Sequence, residues 1–134
     1  MNPVEIVLCN PVRTAIGAYG GTLKETPAPT LGAATLREVI RRSGLAPYAV
    51  QSVVMGNVIQ AGIGMNPARQ AAIGAGIPVE VPALTVNRVC GSGAQAIASA
   101  AQEVMLGHAS CVVAGGMENM DQAPYLMNGG RWGY

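Results

Sequence analysis

Short β-rich segments alternate along this chain with longer segments of helical periodicity, and this alternation restricts the fold more than any other feature. The pattern predicts a helix in each interval between four strands, which lie at residues 4–9, 50–58, 83–86 and 110–114. The order β-α-β-α-β-α-β is typical of an α/β domain with a largely parallel sheet and right-handed crossovers. In such folds, ligands bind near the carboxyl ends of the strands.

The first two predicted helices have recognisable ends. Thr30 is a suitable N-cap for the first helix, and Gly44 is suited to end it. Asn66 and Pro67 form a cap and first-turn pair for the second helix, which we expect to end near Gly74.

The third helix follows Cys90 directly and is expected to end at about Leu106. Its residues are small or apolar nearly all round, which is usual for a helix buried on every side. The composition agrees, because 50% of the 134 residues are hydrophobic and only 11% are charged. We therefore expect part of the surface to be covered by something outside this chain.

The charge pattern argues against several classes of partner. The formal net charge is +1, and Lys24 is the only lysine, so we expect no nucleic-acid or acidic-membrane surface. No apolar run reaches the roughly 18–20 residues that span a bilayer, and the first residues do not resemble a secretory signal. These features predict a cytoplasmic protein that binds neither nucleic acid nor membrane.

The chain has three cysteines, Cys9, Cys90 and Cys111. Their odd number and wide spacing predict neither a disulfide framework nor a metal site, and they suit the reducing cytosol. Cys9 and Cys111 lie within predicted strands, so we interpret both as small buried hydrophobes.

Cys90 differs because it lies where the third strand ends and the third helix begins. Unpaired N–H groups and the macrodipole at a helix N-terminus favour a thiolate, the nucleophilic form of cysteine. Gly91, Ser92 and Gly93 add little bulk, so a large substrate could approach the backbone closely. We predict that Cys90 is a nucleophile, and the alternative is a small buried hydrophobe.

Four stretches in order along the chain, at residues 13–17, 55–70, 86–97 and 112–120, together resemble the thiolase family, and its acetyl-CoA acetyltransferase branch in particular. The run Val-Asn-Arg-Val-Cys-Gly-Ser-Gly-Ala-Gln-Ala-Ile around Cys90 resembles the acyl-enzyme motif of the family. The other stretches lie in the family's order at residues 13–17, 55–70 and 112–120. Four motifs over nearly the whole chain are far more specific than one short pattern.

The resemblance implies an α/β fold in which two related halves stack into α-β-α-β-α layers. Residues 1–120 would form most of the N-terminal half without its last strand, and residues 121–134 would begin an inserted loop domain. In the family, that last strand returns only after the loop domain. Members are dimers or tetramers, so the resemblance implies a homo-oligomer for the full-length enzyme.

The resemblance also implies that Cys90 accepts an acyl group from acyl-CoA as a thioester. A second acetyl-CoA would then condense with it to give acetoacetyl-CoA, and the reverse reaction would cleave a 3-ketoacyl-CoA with CoA. The backbone N–H of Cys90 could stabilise the oxyanion. Coenzyme A thioesters would be substrates, no cofactor would be permanently bound, and the motifs do not assign the CoA-binding residues.

Two catalytic segments of the family are missing from this sequence. It has neither the Gly-His-Pro segment that supplies an activating histidine nor the Cys-x-Gly segment that supplies a second cysteine. The one histidine, His108, is expected roughly 27 Å from Cys90, since a helix rises about 1.5 Å per residue. We therefore expect this chain alone, as an N-terminal fragment, to be inactive.

Two other interpretations are open. A ketoacyl-synthase-like condensing enzyme would share the fold and a nucleophilic cysteine, although the Gly-Ser-Gly after Cys90 favours a thiolase. A non-catalytic thiolase half could act as a partner module, but the absence of the last strand of the half argues against this interpretation.

Overall fold

The computed structural model describes residues 4–133, which contain three α-helices and three β-strands in the order α-β-α-β-α-β. The helices are α1 (Ala28–Ser43), α2 (Pro67–Gly74) and α3 (Ser92–Met105). The strands are β1 (Ser52–Gly56), β2 (Ala83–Val86) and β3 (Val112–Gly116). Three short 3-10 helices lie at Pro47–Ala49, Met120–Gln122 and Gly130–Trp132.

The strands form one parallel sheet in the order β2-β1-β3. Val53 of the central strand lies opposite Ala83 on one side and Val113 on the other. All residues of β1 are buried, as expected for a strand with helices over both faces. The predicted α/β class is confirmed, although β1 is shorter than expected and β3 begins two residues later. The carboxyl ends of all three strands lie at one edge.

Helices cover both faces of this sheet. On one face, α1 and α2 build the larger core, which includes Leu36, Ile40, Val53, Met55 and Ala71. On the other face, α3 packs Ala96 and Ala100 against Val54. Successive side chains of β1 therefore serve opposite layers, because a strand alternates its side chains between two faces.

The ends of α1 and α2 follow their sequence signals with one exception. Gly44 ends α1 in the left-handed conformation with φ 69°, as predicted. The Asn66 side chain caps α2 by accepting a first-turn backbone N–H at 3.2 Å. The predicted Thr30 cap is wrong, because α1 already begins at Ala28 without a side-chain cap. Pro29 lies in that first turn and has no N–H that would need a partner.

The first predicted strand, at residues 4–9, does not form. This segment has no regular structure, and Val7 and Leu8 are 68% and 76% exposed. The segment and β3 both line an open cavity of about 1140 Å³, and no ladder joins them within the described residues. A strand needs a neighbour for its N–H and C=O groups, and the local sequence pattern cannot reveal whether one is present.

One face of α3 is left uncovered. Ser92, Ala96 and Ala100 are buried against the sheet, whereas Ile97 and Met105 are 40% and 59% exposed. The expected exposed apolar surface is confirmed, and the coverage of this helix by something outside the chain stays a prediction. Within the described part of the chain, no helix is long and apolar enough to cross a membrane.

The start of α3 comes closest to the sheet at Gly56, the last residue of β1. A Cβ added at Gly56 would lie 2.5 Å from the carbonyl carbon of Ser92. Backbone atoms cannot swing aside as the end of a flexible side chain can, so only glycine lets α3 begin here. The position of the turn that precedes α3 therefore depends on this glycine.

Replacing Gly56 with alanine should destabilise the chain by about 1–3 kcal/mol, the usual cost of overpacking a core. Gly93→Ala is the matched control at the same helix start, because a Cβ there meets no atom within 4 Å. Alanine also suits a helix better than glycine, so the control should be neutral or stabilising. Urea unfolding followed by circular dichroism measures both variants, and an unchanged midpoint for Gly56→Ala would contradict the close approach.

Candidate active site at the Cys90 turn

The turn at residues 87–91 connects β2 to α3 and carries Cys90. The Cys90 residue is exposed, and α3 begins two residues after it, at Ser92. The predicted place of Cys90 between a strand and a helix is confirmed, and the alternative of a buried hydrophobe is wrong. The N–H groups of a first helical turn lack intrahelical partners, so unpaired donors lie close to this residue along the chain.

Val89, immediately before Cys90, has a left-handed backbone with φ 50°. A β-branched residue is a genuine outlier there, because its side chain crowds the backbone. Such a conformation costs on the order of 1–3 kcal/mol and persists only where the surroundings enforce it. The hydrogen bonds around Val89 must therefore hold the turn in place.

Two side chains hold the backbone of Val89. Asn87 Oδ1 accepts from the Val89 N–H at 3.0 Å, and Ser92 Oγ donates to the Val89 carbonyl at 2.6 Å. The same Ser92 oxygen accepts from the Arg88 N–H at 2.8 Å. Because Ser92 is buried, water competes little for these bonds. The turn is thus clamped from both ends, which fixes the backbone on which Cys90 is carried.

Glu118 organises a neighbouring loop at the same edge of the sheet. It follows β3, and its carboxylate accepts from the Val58 N–H at 2.8 Å and from the Ile59 N–H at 3.3 Å. The Asn57 side-chain amide donates to the same carboxylate at 3.2 Å. Sequence analysis assigned no role to Glu118, although this residue lies in the family-like stretch at residues 112–120. The sequence feature that could have identified Glu118 is its position just after the carboxyl end of a parallel strand, where ligand-binding groups lie.

The other candidate residues lie away from the turn. His108 is exposed beyond the C-terminal end of α3, so its predicted separation from Cys90 along the helix is confirmed. Cys9 is exposed in the irregular N-terminal segment, so its interpretation as a core residue is wrong. Cys111 lies one residue before β3, and burial raises the pKa of its thiol above the usual value. All three cysteines are free.

The arrangement suits an exposed thiol that attacks a bulky electrophile. A Cβ at Gly93 would meet no atom within 4 Å, so open space lies beside the start of α3. The turn contains no histidine, and any general base must therefore come from elsewhere. Within the described residues, no three His, Cys, Asp or Glu side chains are grouped to hold a metal ion.

The chain is similar to acetyl-CoA acetyltransferases in both sequence and structure. A family model described as the thiolase N-terminal domain matches residues 6–134. The acetyl-CoA acetyltransferase of Cupriavidus necator is 50% identical over 130 residues, which cover 97% of this chain and 33% of that protein. The one from Syntrophomonas wolfei is 48% identical over the same shares.

A solved structure agrees with these relatives. The crystal structure of the Bacillus anthracis acetyl-CoA acetyltransferase matches with a TM-score of 0.87 at 43% sequence identity. The match covers 91% of this chain and 31% of that structure. The chain therefore spans about a third of the length of the proteins that it matches.

Because burial raises the pKa of its thiol, Cys111 should react with iodoacetamide more slowly than Cys9 or Cys90 at pH 8. Its rate should also keep rising with pH after that of an ordinary exposed thiol has levelled off, since its thiolate forms at higher pH. Peptide mass spectrometry over a time course measures the three rates. Earlier labelling of Cys111 than of Cys9 would contradict the structure.

Proposed function

Because the chain belongs to the thiolase family, we propose that it supplies the nucleophile of an acyl transfer between coenzyme A thioesters. Cys90 is the acyl carrier in this proposal. The observation that supports it most directly is the exposed Cys90 on a clamped, strained turn at the start of α3. The similar proteins are named as acetyltransferases or acyltransferases of acetyl-CoA, which favours this reaction over that of a ketoacyl synthase.

The first half of the proposed reaction loads Cys90. Its Sγ thiolate attacks the carbonyl carbon of acetyl-CoA, the bond from that carbon to the CoA sulfur breaks, and CoA leaves as a thiolate that takes up a proton. The product is an acetyl thioester on Cys90, and exchange of one thioester for another keeps the acyl group activated. In this proposal the Cys90 backbone N–H would stabilise the oxyanion that forms on the way.

The second half forms a carbon–carbon bond. A base removes a proton from the methyl group of a second acetyl-CoA, and the resulting carbanion attacks the thioester carbonyl. Acetoacetyl-CoA is released and the Cys90 thiolate is regenerated. In reverse, CoA cleaves a 3-ketoacyl-CoA through the same intermediate. The base and the second catalytic cysteine must come from outside these 134 residues, since His108 is remote and no Cys-x-Gly segment is present.

The proposal extends to a last strand that this chain lacks. Within residues 4–133, β3 pairs with β1 on one edge and with nothing on the other. The cavity of about 1140 Å³ lies beside β3 and is also lined by residues 5–19. A strand entering there would cover the free edge of β3 and could supply the neighbour that residues 4–9 lack. Residues 121–134 would then lead into the inserted loop domain.

We also propose that structure from outside these residues covers α3 and the carboxyl edge of the sheet. Asn57 is 1% exposed, and its Oδ1 has no hydrogen-bond partner among the described residues, which is costly for a buried acceptor. The uncovered apolar face of α3 supports a second half packed against it. We place the protein in the cytoplasm as a homo-oligomer that uses CoA thioesters as substrates and binds neither nucleic acid nor membrane.

The 134-residue chain alone should show no turnover of acetoacetyl-CoA with CoA, because it lacks both the activating histidine and the second cysteine. The loss of absorbance of the acetoacetyl-CoA enolate on thiolysis is the measurement. Steady cleavage that disappears in Cys90→Ala would overturn this expectation.

A chimera tests the function itself. Residues 6–134 of this chain replace the matching third of the Cupriavidus necator acetyl-CoA acetyltransferase, to which they are 50% identical. We expect thiolysis by the chimera and a loss of about 10³-fold or more in Cys90→Ser, since covalent catalysis depends on its nucleophile. Cys9→Ser, which removes another exposed thiol, is the matched control and should retain activity. A folded chimera that works equally well without Cys90 would rule out the proposal.

A further inference from the structure

Glu118 has an unusual set of partners for a carboxylate. Three N–H donors approach it, from the backbones of Val58 and Ile59 and from the side chain of Asn57. Within the described residues, the ion pairs join Glu38 to arginines and do not involve Glu118. A half-buried carboxylate that binds only N–H groups fixes the conformation of the backbone that donates to it.

That backbone is joined to the Cys90 turn through Asn87. The Nδ2 of Asn87 donates to the Val58 carbonyl at 3.0 Å, and its Oδ1 accepts from the Val89 N–H at 3.0 Å. Both ends of the Asn87 amide are therefore engaged, one on the loop that Glu118 holds and one on the strained residue before Cys90. These four residues, Glu118, Val58, Asn87 and Val89, form a continuous path that we call the Glu118 relay.

We infer that Glu118 is a positioning residue for Cys90, acting through the Glu118 relay. This inference rests on the proposed function, because the position of Cys90 matters for catalysis only if Cys90 is the nucleophile. Glu118 sets the position of the Val58 peptide, and the Val58 carbonyl in turn orients the Asn87 side chain. Asn87 then holds Val89 at φ 50°, a conformation that this β-branched residue would otherwise leave. Release of Val89 would move Cys90 away from the start of α3.

The Ser92 side chain cannot take the place of the relay. It holds the Val89 carbonyl and the Arg88 N–H, but neither bond reaches the N–H of Val89. The peptide between Arg88 and Val89 is thus fixed at its N–H only by Asn87. Asn87 itself is exposed, so it depends on its anchor at Val58 to keep one orientation.

The test is the rate at which Cys90 reacts with iodoacetamide, expressed relative to the rate of Cys9 in the same sample. In Glu118→Gln the side chain keeps its size, but its NH₂ group faces a backbone N–H that needs an acceptor. We expect the relative rate of Cys90 to fall about threefold or more, as the thiol loses the exposed position in which the clamped turn holds it. Asp121→Asn is the matched control, because that carboxylate accepts from the distant Gly20 N–H and should leave the ratio unchanged.

A second substitution tests whether the relay acts through the strained backbone of Val89. Glycine adopts positive φ without strain, so Val89→Gly needs no relay to hold the turn. In the Glu118→Gln background, Val89→Gly should restore the relative rate of Cys90 to within about twofold of the original, and urea unfolding followed by circular dichroism shows separately how each substitution changes stability. An unchanged ratio in Glu118→Gln, or a fall that Val89→Gly does not restore, would overturn the inference.

Asn87 lies in the middle of the relay and is exposed, so its substitution should disturb folding less than that of the half-buried Glu118. If Glu118→Gln fails to fold, Asn87→Ala should give the same fall and the same rescue by Val89→Gly, and failure of either would overturn the inference. The alkylation ratio does not require acyl transfer. An alkylation ratio that does not change in these variants would therefore refute the relay alone. A chimera that stays active without Cys90 would refute the proposed function alone.

Discussion

The close approach between the start of α3 and the end of β1 determines where the site lies on the sheet. A side chain at Gly56 would collide with the backbone of Ser92, so the helix can begin over the centre of the sheet only because Gly56 has no Cβ. This contact places Ser92 where its hydroxyl clamps the turn, and it places Cys90 at the edge where all three strands end. The position of the thiol therefore depends on this backbone contact together with the Asn87 and Ser92 side chains that clamp the turn.

The residues after β3 hold the loops of that same edge together. Glu118 binds the loop after β1, and the Asn119 side chain donates to the carbonyl of Thr26 at 2.7 Å. Asp121 accepts from the Gly20 N–H at 2.6 Å. One short segment thus fixes two loops that are far apart in the sequence, through side chains whose partners are almost all backbone groups. Such bonds order irregular chain without requiring a particular sequence in the loops that they hold.

Local signals in the sequence predicted the features that depend on local chemistry. The left-handed cap at Gly44, the Asn66 cap and the place of Cys90 between strand and helix each follow from a few adjacent residues. The strained Val89 could not be predicted, because its conformation is imposed by Asn87 and Ser92 against its own preference. The strand at residues 4–9 was predicted wrongly for a related reason, since a strand requires a neighbour and not only a pattern.

If Cys90 is the acyl carrier, the acyl group must be found on its sulfur during turnover. The chimera is mixed with acetyl-CoA, quenched in acid after a short time and digested, and tandem mass spectrometry locates the acetyl group. We expect acetyl on the peptide that contains Cys90, and none on those that contain Cys9 or Cys111. Acetyl on either of those two cysteines, or an unmodified Cys90 in a chimera that still cleaves acetoacetyl-CoA, would contradict this expectation.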